Sequence, residues 1–255
     1  MWLRLRQIAG VAEKLAPVEA DLCEILGIAV CYRDPGVGYF GLENALFPVG
    51  DQLLEIVAPL REGTAGGRYL ARRDGDGGYM IITQCDNHGP RRARVDALGV
   101  RIVHDQQSDE FINMQLHPRD TGGTFFEIDQ QLGERSLEPD GPWHPAGPDW
   151  QRAKQLERVK GIAAAEIQCD APALVANRWG EIAEGDIEHT DGTYSLTLDN
   201  ATVRFVACFD GRPEGLGAID VLTSDCDAIL AAADRREKIT APNQITIGGI
   251  RMNLI

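Results

Sequence analysis

The stretch Leu5-Arg-Gln-Ile-Ala-Gly-Val-Ala12, followed by Pro17-Val-Glu-Ala-Asp-Leu-Cys-Glu-Ile-Leu-Gly27, sets the architecture. Its first part has the apolar content of a strand. Its second places Val18, Leu22, Ile25 and Leu26 on one helical face and stops at glycine. Three further strands are expected at Ile28–Arg33, Asn44–Val49 and Gln52–Val57, the last two joined by a tight Gly50-Asp51 turn. The unit is β-α-β-β-β.

The same order returns three times. A second unit opens at Gly78-Tyr-Met-Ile-Ile-Thr-Gln-Cys-Asp86, continues through a helix near Pro90–Leu98, and closes with strands at 100–104, 111–116 and 124–128. The breaker-rich stretch Glu138-Pro-Asp-Gly-Pro-Trp-His-Pro-Ala-Gly-Pro148 reads as an inter-domain linker over 131–150. After a polar helical start at Asp149–Lys160, a third unit begins at Ile162-Ala-Ala-Ala-Glu-Ile-Gln-Cys-Asp170, whose Gln-Cys-Asp repeats that at 84–86. A fourth begins at Leu216 and ends in a hairpin turning on Gly248-Gly249. The expectation is an α+β protein of four modules in two domains, 1–130 and 151–255.

Composition narrows the function classes. A formal charge of −14 disfavours holding nucleic acid or an anionic membrane by general electrostatics. No apolar run is long enough to span a bilayer, and the first residues lead into no signal-like segment, so the expectation is a soluble, cytoplasmic protein. The six cysteines show no Cys-x-x-Cys spacing and read as small core residues.

Paired modules of this order, with Leu53-Leu-Glu-Ile-Val-Ala-Pro59 and His117-Pro-Arg-Asp-Thr-Gly-Gly-Thr-Phe-Phe-Glu127, resemble the vicinal oxygen chelate superfamily, which includes glyoxalases and bleomycin-resistance proteins. The second segment is similar to the end of methylmalonyl-CoA epimerase-type members. The resemblance implies a cup formed by two modules, with a divalent metal held by residues from the first and last strand of each. Gln7, Glu55 and Glu127 fall at three of those positions. The spacing supports the match: Gln7 precedes Glu55 by 48 residues and Met80 precedes Glu127 by 47. Met80 stands where the family usually has histidine, and a thioether is a poor donor for magnesium, manganese, cobalt, nickel or zinc in an oxygen-rich site. The equivalent positions in the second half are Ala164, Arg204, Ala218 and Asn253, which can hold no such ion.

The first expectation is therefore a metal-assisted isomerase or lyase, acting through an enolate-type intermediate on a small molecule with adjacent oxygens. Glu127, or alternatively Glu55, would move the proton, with His117 as a further proton donor or substrate contact. The alternative is a metal-free protein that sequesters a small molecule among Tyr79, Met80, Phe47 and Phe126. An extradiol-type dioxygenase ranks last, because it needs two histidines. Substrate, oligomeric state (a homodimer included) and the pairing of the modules stay open.

Overall fold

The computed structural model describes residues 1–255. Seven strands form the first sheet: β1 Leu3–Val11, β2 Leu42–Val49, β3 Gln52–Pro59, β4 Gly77–Cys85, β5 Ile102–Gln107, β6 Phe111–Leu116 and β7 Phe125–Gln131. They accompany helices α1 Leu15–Asp21, α2 Ala65–Arg73, α3 His88–Ala97 and α4 Pro118–Thr121. The second sheet has β8 Val159–Cys169, β9 Ile187–Thr190, β10 Thr193–Thr197, β11 Thr202–Ala207, β12 Gly215–Thr223, β13 Ile239–Ala241, β14 Gln244–Ile247 and β15 Ile250–Leu254, with helices α5 Pro172–Ala183 and α6 Cys226–Arg235. No helix is long and apolar enough to cross a membrane.

Both sheets follow one plan. The spatial orders are β2-β3-β1-β4-β7-β6-β5 and β13-β14-β15-β12-β8-β11-β10-β9. In every module the first strand lies parallel to the last: β1 to β3, β4 to β7, β8 to β11, β12 to β15. The first strands of neighbouring modules then pair antiparallel at the centre, β1 with β4 and β8 with β12. Modules thus pair within each half of the chain, which the sequence had left open. Even the irregularities recur. Arg6 and Tyr79 are the unpaired residues of the β1–β4 ladder, and Ala163 and Gly217 are unpaired at the same places between β8 and β12. A bulge turns two successive side chains toward one face, so its position directs side chains as surely as the strand itself does.

Two expected elements differ. Ile28–Arg33 forms no strand: one bridge joins Tyr32 to Leu46, after which Asp34 caps a 3₁₀ turn over Pro35–Phe40 that carries the chain away from the ladder. The polar segment Asp149–Lys160 holds only a 3₁₀ turn, Trp150–Ala153. It lacks an apolar helical stripe, and its one large apolar group, Trp150, is anchored in the interior with its indole N–H donating to the Gly141 carbonyl.

Alternation along the first sheet separates two faces. Leu5, Ile8, Leu54, Ile56, Phe126 and Ile128 point outward to α1, the turn at Leu22–Leu26 and the second sheet, forming one core through both halves. At that seam the Phe126 ring stacks on Trp179 of α5, with centroids 4.1 Å apart and planes 6° from parallel. Gly249, at φ 68° in the β14–β15 turn, has no alternative: a Cβ there would lie 1.8 Å from the Asp76 carbonyl oxygen of the other half. The inner face instead carries Ala9, Leu46, Val57, Tyr79, Met80 and Phe111. Phe40 leads into one edge strand and His104 lies on the other, yet their rings are 5.4 Å apart. The sheet therefore curls until its edges meet.

Replacing Trp179 with alanine is expected to cost about 3–5 kcal/mol, because the stacked partner Phe126 would border a cavity that the seam cannot close. A shift of the chemical denaturation midpoint measures this. A loss within about 0.5 kcal/mol, as for an exposed surface residue, would mean that the seam is not a shared core.

Candidate functional site

The inner face of the first sheet gathers Gln7 from β1, Asn44 from β2, Glu55 from β3, Met80 from β4, Asn113 and Gln115 from β6, and Phe125, Glu127 and Asp129 from β7. Glu55 and Glu127 are buried, 8% and 7% exposed, and neither forms a salt bridge. Side-chain amides surround them instead. The Gln7 amide donates to Glu55 Oε2 at 2.8 Å and the Asn44 amide to Oε1 at 2.6 Å. Asn113 donates to Glu127 Oε1 at 2.7 Å and Gln115 to Oε2 at 3.2 Å, the latter nitrogen also lying 3.5 Å from the Met80 sulfur.

Two of these orientations are fixed by groups that only donate. The Trp143 indole N–H donates to Gln7 Oε1 at 2.9 Å, so the amide nitrogen must be the end facing Glu55. The Asp34 backbone N–H does the same for Asn44 Oδ1 at 2.8 Å. Trp143 comes from the proline-rich stretch, which crosses the inner face and is fastened there by β1. Arg4 donates to the carbonyls of Leu137 and Glu138, and Arg6 to those of Pro139 and Gly141. The Arg6 guanidinium lies 5.3 Å from the Trp143 ring centroid and 5.1 Å from that of Trp150. Burial brings its pKa down to about 9. Both cations on this face are thus bound to the strap and to the Gln84 amide rather than to the glutamates.

Electrostatics follow from this arrangement. Burial raises Glu55, against the lowering effect of the Asn44 and Gln7 hydrogen bonds. Burial also raises Glu127, and the charge of Glu55 pushes it further in the same direction.

A metal does not fit this donor set. Gln7 turns an N–H toward the carboxylates and has its oxygen occupied by Trp143. Every glutamate oxygen already accepts an amide hydrogen, and the fourth position offers the Met80 thioether. A hard divalent ion needs several free oxygen donors around one point, and no group of three or more His, Cys, Asp or Glu residues is placed to provide them.

The remaining expectations divide by strand parity and bulges. Tyr79 and Met80 both border the inner face, although adjacent, because Tyr79 is the bulge residue. Phe47 and Phe126 do not: both point into the outer core, one residue out of phase with Leu46 and Glu127. Phe125 takes that place, its ring 5.1 Å from Tyr79. His117 is not brought to the glutamates. It caps α4, its Nδ1 accepting from the Arg119 backbone N–H at 3.1 Å. Sequence reading missed Asn44, Asn113, Gln115, Asp129 and Trp143. Alternation from Glu127 marks Asp129, whereas nothing local marks Trp143, 136 residues from its partner Gln7.

In the second sheet, Arg204 stands opposite Glu166 as Glu55 stands opposite Ala9, so it holds the place of Glu55 with reversed charge. It pairs with Asp220 at 2.8 Å, which also accepts from Asn253 at 2.7 Å, while Arg251 bridges Glu166 and Asp210, each at 3.0 Å. This face is a closed network of ion pairs.

Glu55→Gln should change the pH dependence of stability in a defined direction. An acid raised by folding contributes stability at low pH that is lost as pH rises through its folded-state value. Wild-type protein should therefore lose denaturation midpoint relative to the variant as pH rises from about 5 to about 8. Parallel curves would show that Glu55 is not raised.

No family model and no curated protein matches the chain. Among solved structures, a hypothetical protein from Staphylococcus aureus matches all of this chain with all of its own, at a TM-score of 0.68 and 13% identity. A variant of Streptomyces coelicolor methylmalonyl-CoA epimerase in complex with 2-nitronate-propionyl-CoA matches 52% of this chain with 100% of its own, at 0.47 and 20%. The Mycobacterium tuberculosis methylmalonyl-CoA epimerase matches 51% with 89%, at 0.45 and 20%. At these identities the likeness concerns the fold alone: two sheets of paired modules whose strand order and central bulges repeat, the architecture that the resemblance to the vicinal oxygen chelate superfamily implies.

Proposed function

We propose that the inner face of the first sheet binds a small molecule and that Glu127 takes a proton from it, in an isomerase- or lyase-type reaction that needs no metal. What supports this is the pair Glu55 and Glu127: two buried carboxylates on one face, held by neutral amides and opposed by no cation. A salt bridge would lower their basicity, and burial without one raises it. In the step envisaged, a C–H bond next to a carbonyl of the ligand breaks and its proton passes to a Glu127 oxygen. The electron pair stays on the ligand as an enolate, and the proton returns from Glu127 or from Glu55. Tyr79, Met80 and Phe125 supply the apolar lining beside the carboxylates. The same lining favours a second reading, sequestration of a ligand without reaction.

Carbonyl compounds with an acidic α C–H, among them β-keto acids, α-hydroxy ketones and acyl thioesters, can be incubated with the protein in deuterated water and followed by proton NMR. The expected result is α-proton exchange with at least one class, slowed about 100-fold or more in Glu127→Gln. Magnesium, manganese, cobalt, nickel and zinc should neither speed exchange nor raise the melting temperature. Binding without exchange would leave sequestration. Exchange that depends on an added ion would overturn the metal-free reading.

A further inference from the structure

Behind Glu127, on the same face of β7, lies Asp129, 0% exposed and in no salt bridge. One nitrogen connects the two carboxyls: Asn113 Nδ2 lies 2.7 Å from Glu127 Oε1 and 3.0 Å from Asp129 Oδ1. The Met114 backbone N–H also reaches Asp129 Oδ1, at 3.3 Å. The second Asp129 oxygen, Oδ2, is buried and has no partner, and neither has the buried Asn113 Oδ1. If both carboxyls were ionised, two negative charges would share one amide in a buried environment, with an anionic oxygen left bare. Such an arrangement costs several kcal/mol, enough to protonate one member instead. A proton on Asp129 turns a bare acceptor into a donor, with the Glu127 carboxylate available to receive it.

The surrounding charges offer no other remedy. From β1, Arg4 and Arg6 are committed to Gln84, Asp51 and the strap carbonyls. From β3, Glu55 adds negative charge, as an ionised Cys85 on β4 would. From α3, the buried Arg91 is committed to the Ala183 carbonyl and Glu184 of the other half; from the strap, His144 faces Glu110, and β6 contributes only amides.

We propose that Asp129 is a positioning residue for Glu127: the two carboxyls share one proton, carried by Asp129 and donated to Glu127, which remains the ionised member with access to the inner face. This rests on the reading of Glu127 as the proton acceptor. Burial raises both carboxyls; the Glu127 charge and hydrogen bond raise Asp129 further, while the Asp129 hydrogen bond draws Glu127 back down against burial and the charge of Glu55, so that Glu127 can both remove a proton and return it. When Glu127 accepts the ligand proton the pair holds two protons, and when it returns that proton the pair is back to one.

Infrared spectroscopy of the full-length protein, labelled with carboxyl-¹³C aspartate, tests this without a ligand. At about pH 7 the wild type is expected to show the C=O stretch of a protonated aspartic acid. Asp129→Ala should lose that band and raise the titration of Glu127 by about one pH unit or more, because the donor that favours the ionised Glu127 is gone. Fully ionised aspartates in the wild type would overturn the proposal, whether or not the variant folds. So would a Glu127 titration unmoved in a folded variant. The band present without α-proton exchange would count against the catalytic reading alone, leaving the shared proton standing.

Discussion

Two glutamates are buried on the inner face of the first sheet with no cation to meet them, and much of the surrounding structure can be read as the answer to that constraint. A carboxylate removed from water must have its oxygens met by donors or give up its charge. Each glutamate here has two side-chain amides, one or both from a neighbouring strand: Gln7 and Asn44 for Glu55, Asn113 and Gln115 for Glu127. Amides neutralise nothing, so the carboxyls keep a raised affinity for protons.

The strap over 137–151 belongs to the same arrangement. It supplies the Trp143 N–H that orients Gln7, and its backbone carbonyls accept from Arg4 and Arg6. A segment rich in proline has few backbone N–H groups to donate and many free carbonyls. That makes it a fitting partner for two arginines. The composition that reads as a flexible linker is thus also suited to docking against guanidinium groups.

The two halves use one backbone plan for different ends. Two bulges coincide and the second sheet adds a third at Lys160, yet Glu55 is matched by Arg204, Glu127 by Asn253 and Tyr79 by Gly217. Removing the bulky side chain and reversing one charge separates a face of amide-bonded carboxyls from a set of ion pairs that satisfy one another. Backbone geometry survives such exchanges because it depends on main-chain hydrogen bonds and on the opposite, apolar face, where both halves share a core.

The sequence by itself determined the module order, most strand positions and the tight turns, and it singled out Glu55 and Glu127, because these rest on local periodicity, turn chemistry and spacing between repeats. Four side chains in the second half carried the expectation of no metal there. Sequence reading misplaced Phe47 and Phe126 although period-2 alternation from Asn44 and Glu127 sends both to the outer face. Only the tertiary structure decided which modules share a sheet, where the bulges turn Tyr79 and Arg6 inward, and that Trp143 reaches Gln7. The fit of a metal was decided there too. A glutamine in a sequence is equally an oxygen ligand and an N–H donor, and the indole that fixes its orientation lies 136 residues away.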